Sequence, residues 1–450
     1  KFQEAISVLE PLADADPGNR TIAQALATAY EETDAPDRAI QVLKAAIALH
    51  NDQVPLLRNL AILLANTNNI EEAIQTIDQA LRIDRSSSLV NMRGVLVALQ
   101  RKGSEAISYF KEAIELDPEN IAAVRNLAQA YLIEGEIENA LQVVNRGLEL
   151  SPNSEGLLAI KSQILNSLGQ VDEAVNILEK LVSDAKRRSR HIVNYYVTLL
   201  KSDRKEQAFN VLQEEYQTNP EEKKRAFLEA IENAGVDLFT ENNAKASRQL
   251  YEQVLKIAPL QARSINNLGF ILISERNWHS AQQLLQRAEG VYEFPSILKA
   301  NQGYIALNLN EPQNAIELFD EAMKALEEID EENPSAILHV AYPWIGGLAE
   351  KRGDDFPTRN VLIKTTLLAN LACAFYLLGE KNQALTVAQQ AIESDPGEST
   401  GYRMLGCLYF LQGDHEQARQ AWEKALASER SQEEDAIIHR WLGALQGKSG

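Results

Sequence analysis

Small residues recur along this chain at a fixed spacing, and that spacing decides what the chain can fold into. They stand at Ala5, Ala39, Ala73, Ala106, Ala140, Ala174, Ala208, Ser247, Ala281, Ala315, Ala384 and Ala418, each within a similar apolar run. The steps between them are 33 or 34 residues, except for 39 before Ser247 and 69 before Ala384. A period between 20 and 50 residues marks an array whose units bury their apolar faces only against neighbours. Such an array needs no single closed core, so a chain of 450 residues does not have to divide into two or three globular domains.

Each unit repeats more than one small residue. There is another small residue twelve before, an aromatic or aliphatic four after, a further small residue seven after, and often a proline twelve after. One unit shows the full set as Ala128, Tyr131, Gly135, Ala140, Val144, Gly147 and Pro152, and another as Ala372, Phe375, Gly379, Ala384, Ala388, Ala391 and Pro396. Small residues let two antiparallel helices approach closely, and large apolar residues one turn away fill the remaining space. Proline then ends the second helix, in Asp16-Pro17, Asp117-Pro118, Ser151-Pro152 and Asp395-Pro396. With Gly 22 and Pro 14, and no alternating β-branched run, the expected class is all-α.

With this unit the chain resembles the tetratricopeptide repeat family, whose 34-residue helix-turn-helix repeat has the same small, aromatic and proline spacing. A HEAT or armadillo array would show a period of about 40 or more. The resemblance implies a right-handed superhelical solenoid of about eleven helix pairs. Residues 433–446, with Ile438, Trp441, Leu442 and Leu445 on one face, read as a terminal capping helix. The expected organisation is an N-terminal array over 1–220 that starts mid-repeat, and a central array over 221–334 that follows a lengthened repeat, through a longer turn or a change in superhelix direction. A non-repeat insert or degenerate repeat over 335–362 comes next, then a pair of repeats over 363–430 and the cap and tail over 431–450.

The formal net charge of −20 repels phosphate backbones and anionic membrane surfaces, so nucleic acid is not an expected partner. No run of 18 apolar residues exists, so direct membrane insertion is not expected. Two cysteines, Cys373 and Cys407, give no disulfide framework. The chain opens at Lys1 inside an apolar-faced helix, as though upstream sequence were missing. The low cysteine count is compatible with a reducing compartment and a cytoplasmic location is favoured, while the missing upstream sequence leaves a periplasmic one open, and self-association through that exposed helix as well.

Nothing in the sequence assembles chemistry. The six histidines His50, His191, His279, His339, His415 and His439 are scattered, without metal-ligand spacing. Gly447-Lys448-Ser449 ends like a phosphate loop, but Leu442 stands where the required glycine would be. Cys373 and Cys407 lie 34 apart, at equivalent places in stacked units. Such places are roughly 10 Å apart, too far for a disulfide. No cofactor, metal or catalytic residue is expected, and the chain is read as non-enzymatic.

Family resemblance implies that first helices line the concave side and that ligands touch positions 2, 5, 9 and 12 of each unit. In the N-terminal half this gives a polar surface of Gln24, Thr28, Arg58, Arg125, Gln129, Gln163 and Asn166. In the C-terminal half it gives an apolar one of Phe270, Ile273, Tyr304, Leu307, Cys373, Tyr376, Cys407 and Phe410, with Arg263 and Arg403 nearby. Asn59, Asn126, Asn267 and Asn370 recur one place before a Leu-small pair and could hold a peptide backbone. The run Lys186, Arg187, Arg188 and Arg190 reads as a solvated face, or as a docking point for an acidic partner. The expected function is a scaffold or adaptor binding a peptide or helix of a partner protein in the groove. The alternative is the sensing, targeting or periplasmic scaffold portion of a larger enzyme or export protein.

Overall fold

A computed structural model describes residues 2–49, 54–290, 295–327, 356–428 and 432–446. Among these residues every regular element is a helix, and the chain divides into two compact units, 1–198 and 199–450. Unit 1 holds α1 (Phe2–Ala15), α2 (Arg20–Glu31), α3 (Pro36–Ala48), α4 (Val54–Asn66), α5 (Ile70–Ile83) and α6 (Ser87–Leu99). It continues with α7 (Gly103–Leu116), α8 (Ile121–Ile133), α9 (Ile137–Leu150), α10 (Glu155–Ser167) and α11 (Val171–Ser183); α12 (Ala185–Lys201) runs through the division.

Unit 2 holds α13 (Lys205–Thr218), α14 (Glu221–Thr240), α15 (Ala244–Ile257), α16 (Ala262–Ser274), α17 (Trp278–Gln286), α18 (Pro295–Asn308) and α19 (Pro312–Glu327). It closes with α20 (Phe356–Leu377), α21 (Lys381–Ser394), α22 (Ser399–Leu411), α23 (His415–Ala427) and α24 (Gln432–Gln446). Five pairs in each unit, from α2·α3 to α10·α11 and from α14·α15 to α22·α23, pack hairpin-fashion, and α24 packs on α23.

The periodic small residues sit where the helices press together. Every one of them from Ala39 to Ala418, Ser247 included, is at 0 % exposure. The partner position twelve earlier answers to the side chain it faces sixteen residues on. Glycine stands opposite a large residue: a Cβ added at Gly94 would lie 2.6 Å from Phe110, at Gly303 2.6 Å from Phe319, and at Gly406 2.3 Å from Trp422. Alanine at the same place, as in Ala27 and Ala61, goes with the aliphatics Leu43 and Ile77. In these pairs volumes are matched, as close packing requires; Gly269 departs from the pattern, facing the aliphatic Leu285 with a Cβ that would lie 2.4 Å from it.

Each first helix ends the same way. Asp34, Asn68, Arg101, Gly135, Gly169, Asp203, Asn242, Arg276, Asn310, Gly379 and Gly413 all have positive φ, and each lies seven residues after the position twelve before the buried small residue, a position that is small in every unit except at Tyr196. At Gly135 the cap is explicit: its N–H donates to Leu132 O (3.2 Å) and the next N–H, of Glu136, to Tyr131 O (2.8 Å). A left-handed residue here reverses the chain into the second helix, and glycine, asparagine and aspartate adopt it most readily.

The lengthened repeat of the 39-residue step takes its extra residues into a helix rather than the longer turn the sequence offered: α14 is 20 residues long against 13 for α16, and only 241–243 separate it from α15. The compact division falls after residue 198. The choice between insert and degenerate repeat for 335–362 falls largely outside the described residues. Its last part, from Phe356, begins α20, which packs against both α18 and α19. Of the basic run, Arg190 lies 3.4 Å from Glu155, and Lys186 and Arg187 have side chains outside the described residues. His191 is buried and hydrogen-bonded to Glu155 at 2.9 Å. That bond and the neighbouring Arg190 hold the Glu155 carboxyl below its ordinary value.

Candidate protein-binding face

In unit 2 consecutive first helices touch, α14 to α16, α16 to α18, α18 to α20 and α20 to α22. Side chains three apart on one helix share a face, so the pairs Tyr304/Leu307, Cys373/Tyr376 and Cys407/Phe410 fall in register across neighbouring helices. All six are half-buried, as is Phe270 on α16, while Ile273 is buried in the core. The aromatic rings are held in place edge-on or tilted. Phe270 meets Phe239 at 5.5 Å and 73°, Tyr304 meets Trp278 at 6.1 Å and 71°, and Phe410 lies 5.7 Å from Trp422. The Tyr376 hydroxyl reaches Leu411 O at 3.4 Å.

Phe239 and Val236, on α14, extend this row, with Val236 40 % exposed and Phe239 half-buried. The sequence pattern obscures both, because the 39-residue step reads as a longer turn or a change in superhelix direction. The signal was present: Gly235 occupies the small position twelve before Ser247, which puts Val236 and Phe239 one and four residues after it.

The two thiols are free and half-buried. Burial pushes the Cys373 thiol up and the Cys407 thiol up to about 11, so both stay protonated near neutrality. Arg403 is half-buried and donates to Thr400 Oγ1 at 3.1 Å, while its carbonyl accepts from the Trp422 indole N–H at 3.4 Å.

The asparagines have internal work. Asn126 donates to Asn91 Oδ1 across adjacent first helices (2.9 Å), Asn267 to the Tyr251 hydroxyl (3.0 Å), and the buried Asn301 to the buried Asn266 (3.0 Å). Asn59 and Asn370 are half-buried, and Gln129 likewise; Arg58 and Arg125 are exposed. In unit 1 the predicted polar surface is therefore partly a set of bonds between repeats. Asn166 donates to Thr198 Oγ1 at 2.9 Å in the same manner.

Beneath the row in unit 2 lies a buried carboxylate. Glu232 is 2 % exposed and accepts from Ser264 Oγ (2.6 Å) and Gln261 Nε2 (3.0 Å), while the Tyr251 hydroxyl donates to its main-chain oxygen (3.1 Å). Desolvation raises its pKa against the opposing hydrogen bonds and the charge of Arg263. A carboxyl with a raised folded-state pKa contributes stability fully below its unfolded value and loses it as pH rises through the folded one. Accordingly, Glu232→Gln gains stability relative to the parent as pH rises from 5 to 7. Denaturant midpoints at those two pH values measure this, and a constant difference would count against it.

Two tetratricopeptide repeat models match the chain, one over 1–52, 33–92 and 98–164, the other over 369–436 and 403–445. Tetratricopeptide repeat protein 36 of Bos taurus is 30% identical over 141 residues, covering 29% of this chain and 74% of that protein. The chain belongs to the tetratricopeptide repeat family. Within this family it is also similar to the BBSome complex member BBS4 of Bos taurus, 21% identical over 303 residues, 67% of this tetratricopeptide chain and 50% of the relative. It thus spans about half the length of that relative. The APC/C hetero-tetramer Cut9-Hcn1 is a similar solved structure, with TM-score 0.36 and 15% identity, covering 98% of this chain and 93% of that one.

Among the described residues no helix is long and apolar enough to cross a membrane, and no group of three or more His, Cys, Asp or Glu side chains is placed to hold a metal ion.

Proposed function

We propose that this protein is a non-catalytic scaffold that holds an apolar-faced peptide or helix of a partner protein across the first helices of unit 2. The observation that carries the reading is the row of half-buried rings, one on each successive first helix: Phe239, Phe270, Tyr304, Tyr376 and Phe410. Partly covered aromatics fixed edge-on by their neighbours offer a partner large apolar area at little further entropic cost. An amphipathic helix lays its apolar anchors into such a surface at i, i+3 and i+4. BBS4, a relative, is by its name a member of a protein complex, which agrees with a life spent bound to other chains.

The test compares the parent chain with Phe270→Glu/Tyr304→Glu/Tyr376→Glu in pull-downs from source-cell lysate, after circular dichroism shows both folded. The captured partner is then titrated against each by calorimetry. The variant binds at least about tenfold more weakly, since each glutamate meets apolar surface without a counter-charge. Equal affinity would remove the row from the binding site.

A further inference from the structure

The first helices of unit 1 present a surface of another kind. Arg58 and Ile62 on α4, Val95 and Leu99 on α6, and Arg125 and Ile133 on α8 are all exposed, the four aliphatics to between 37 and 73 %. Within each helix these residues stand four or eight apart and so share a face. Their offsets from Ala61, Gly94 and Ala128 are also shared: three before for the arginines, one after for Ile62 and Val95, five after for Leu99 and Ile133. The faces therefore turn the same way. Leu60 and Leu64 of α4 and Leu89 and Leu96 of α6 belong to one buried core, and α6 touches α8, so the three lie side by side.

The charge on this face has one sign. α4 carries Arg58 as its one charged residue and α8 carries Arg125, while Arg93 of α6 is held by Asp78 of α5 at 2.8 Å. None of the three helices has a carboxylate, in a chain whose formal net charge is −20. Arg58 and Arg125 make no ion pair among the described residues. On α10, which packs against α8, Glu155 is taken by His191 and Arg190, and Lys161 donates to Asn145. The remaining carboxylates of neighbouring elements stand beyond the ends of the face, Glu31 and Glu32 at the end of α2, Glu119 before α8 and Glu134 after it. Gly156 of α10 makes room for the stem of Arg125, since a Cβ there would come within 2.9 Å of its Cδ.

The size and order of the face identify its occupant. From Arg125 to Ile133 is eight residues, about 12 Å of helix, and an α-helix with its side chains is about 10–12 Å across. One helix laid over α4, α6 and α8 thus has an edge on the arginines and its underside on the aliphatics. A nucleic-acid backbone would bring charge to only two cations and leave the aliphatic area uncovered, whereas an amphipathic helix covers it.

We propose that α4, α6 and α8 dock an amphipathic helix of a partner protein, its apolar side on Ile62, Val95, Leu99 and Ile133 and its acidic edge on Arg58 and Arg125. This is a second docking surface, which stands or falls independently of the ring-lined row in unit 2.

The test is fluorescence anisotropy with the full chain and a fluorescein-labelled, lactam-stapled helical peptide that has leucines on one face, glutamates along one edge of it and glutamines elsewhere. A twin peptide has lysines in place of the glutamates. The overall charge of the chain by itself favours the lysine twin, so the parent's expected preference for the glutamate peptide, at least about tenfold, reports the local face. Arg58→Glu/Arg125→Glu reverses that preference, because like charges then oppose the glutamates and opposite ones meet the lysines. Arg58→Gln/Arg125→Gln abolishes it without new charge, should the reversal disturb folding. Leu99→Ser/Ile133→Ser weakens binding of the glutamate peptide several-fold, and Phe270→Glu/Tyr304→Glu/Tyr376→Glu keeps the charge preference of the parent. The proposal is overturned if the parent prefers the lysine twin or binds neither peptide, if the arginine variants keep the preference for glutamate, if the serine variant binds as the parent does, or if a single-stranded oligonucleotide displaces the glutamate peptide more effectively than its unlabelled form.

Discussion

Trp422→Ala lowers the stability of the last helix pair by about 3–5 kcal/mol, the range for removing a large buried aromatic. Trp422 is 2 % exposed and stands between Phe410 on α22 (5.7 Å) and Trp441 on α24 (5.3 Å), so one side chain ties three helices. It also fills the space over Gly406, where a Cβ would come within 2.3 Å of the indole nitrogen. Truncation leaves a void bordered by Ile438 and Leu445, the buried residues through which α24 attaches. In a repeat array each unit is stabilised by its neighbours alone, so the loss stays local. Hydrogen exchange measures it: amides of α22, α23 and α24 lose protection while those of α15 to α17 keep theirs. Uniform loss across unit 2 would mean that unit 2 unfolds as one block and that the nearest-neighbour account is wrong.

How much of this was legible beforehand follows from which interactions are local in the repeat. The helix pairs could be read because the closest contacts recur at fixed offsets: Ala39, Ala73 and Ala106 are buried for the same reason, and each leaves the same mark. The turn was legible where glycine makes it, at Gly135 or Gly379, and obscured where Arg101 and Arg276 accept positive φ. The site was harder. Positions 9 and 12 located the ring-lined row, but its extension onto α14 was hidden by seven residues of additional helix. Nothing in the spacing of Asn126 or Asn267 says that the donors are spent on Asn91 and Tyr251, since those partners lie 35 and 16 residues back on other helices. Glu232 was passed over for the same reason: its burial depends on Ser264 and Gln261, 32 and 29 residues away.

Phe319→Ala is expected to cost about 3–5 kcal/mol as well, but the informative experiment pairs Phe319 with Gly303. Phe319 is at 0 % exposure on α19, and its ring edge occupies the place a Cβ of residue 303 would take, 2.6 Å from Cε1 and 2.8 Å from Cδ1. Gly303→Ala therefore overpacks a ring with no free space to move into, costing about 1–3 kcal/mol, partly offset by a helix-propensity gain of about 1 kcal/mol. Phe319→Leu alone leaves a cavity. Together the two changes recreate a combination the chain already uses, Ala27 opposite Leu43, both buried at 3 % and 1 %. The double variant is consequently more stable than the sum of the two single losses predicts, with a coupling of about 1–3 kcal/mol, well above the ~0.5 kcal/mol by which independent sites depart from additivity. A four-chain denaturation cycle reads this directly. Additive losses would show that the glycine is tolerated at that place rather than required by the ring, and that volume matching sixteen residues apart is not what sets the distance between paired helices.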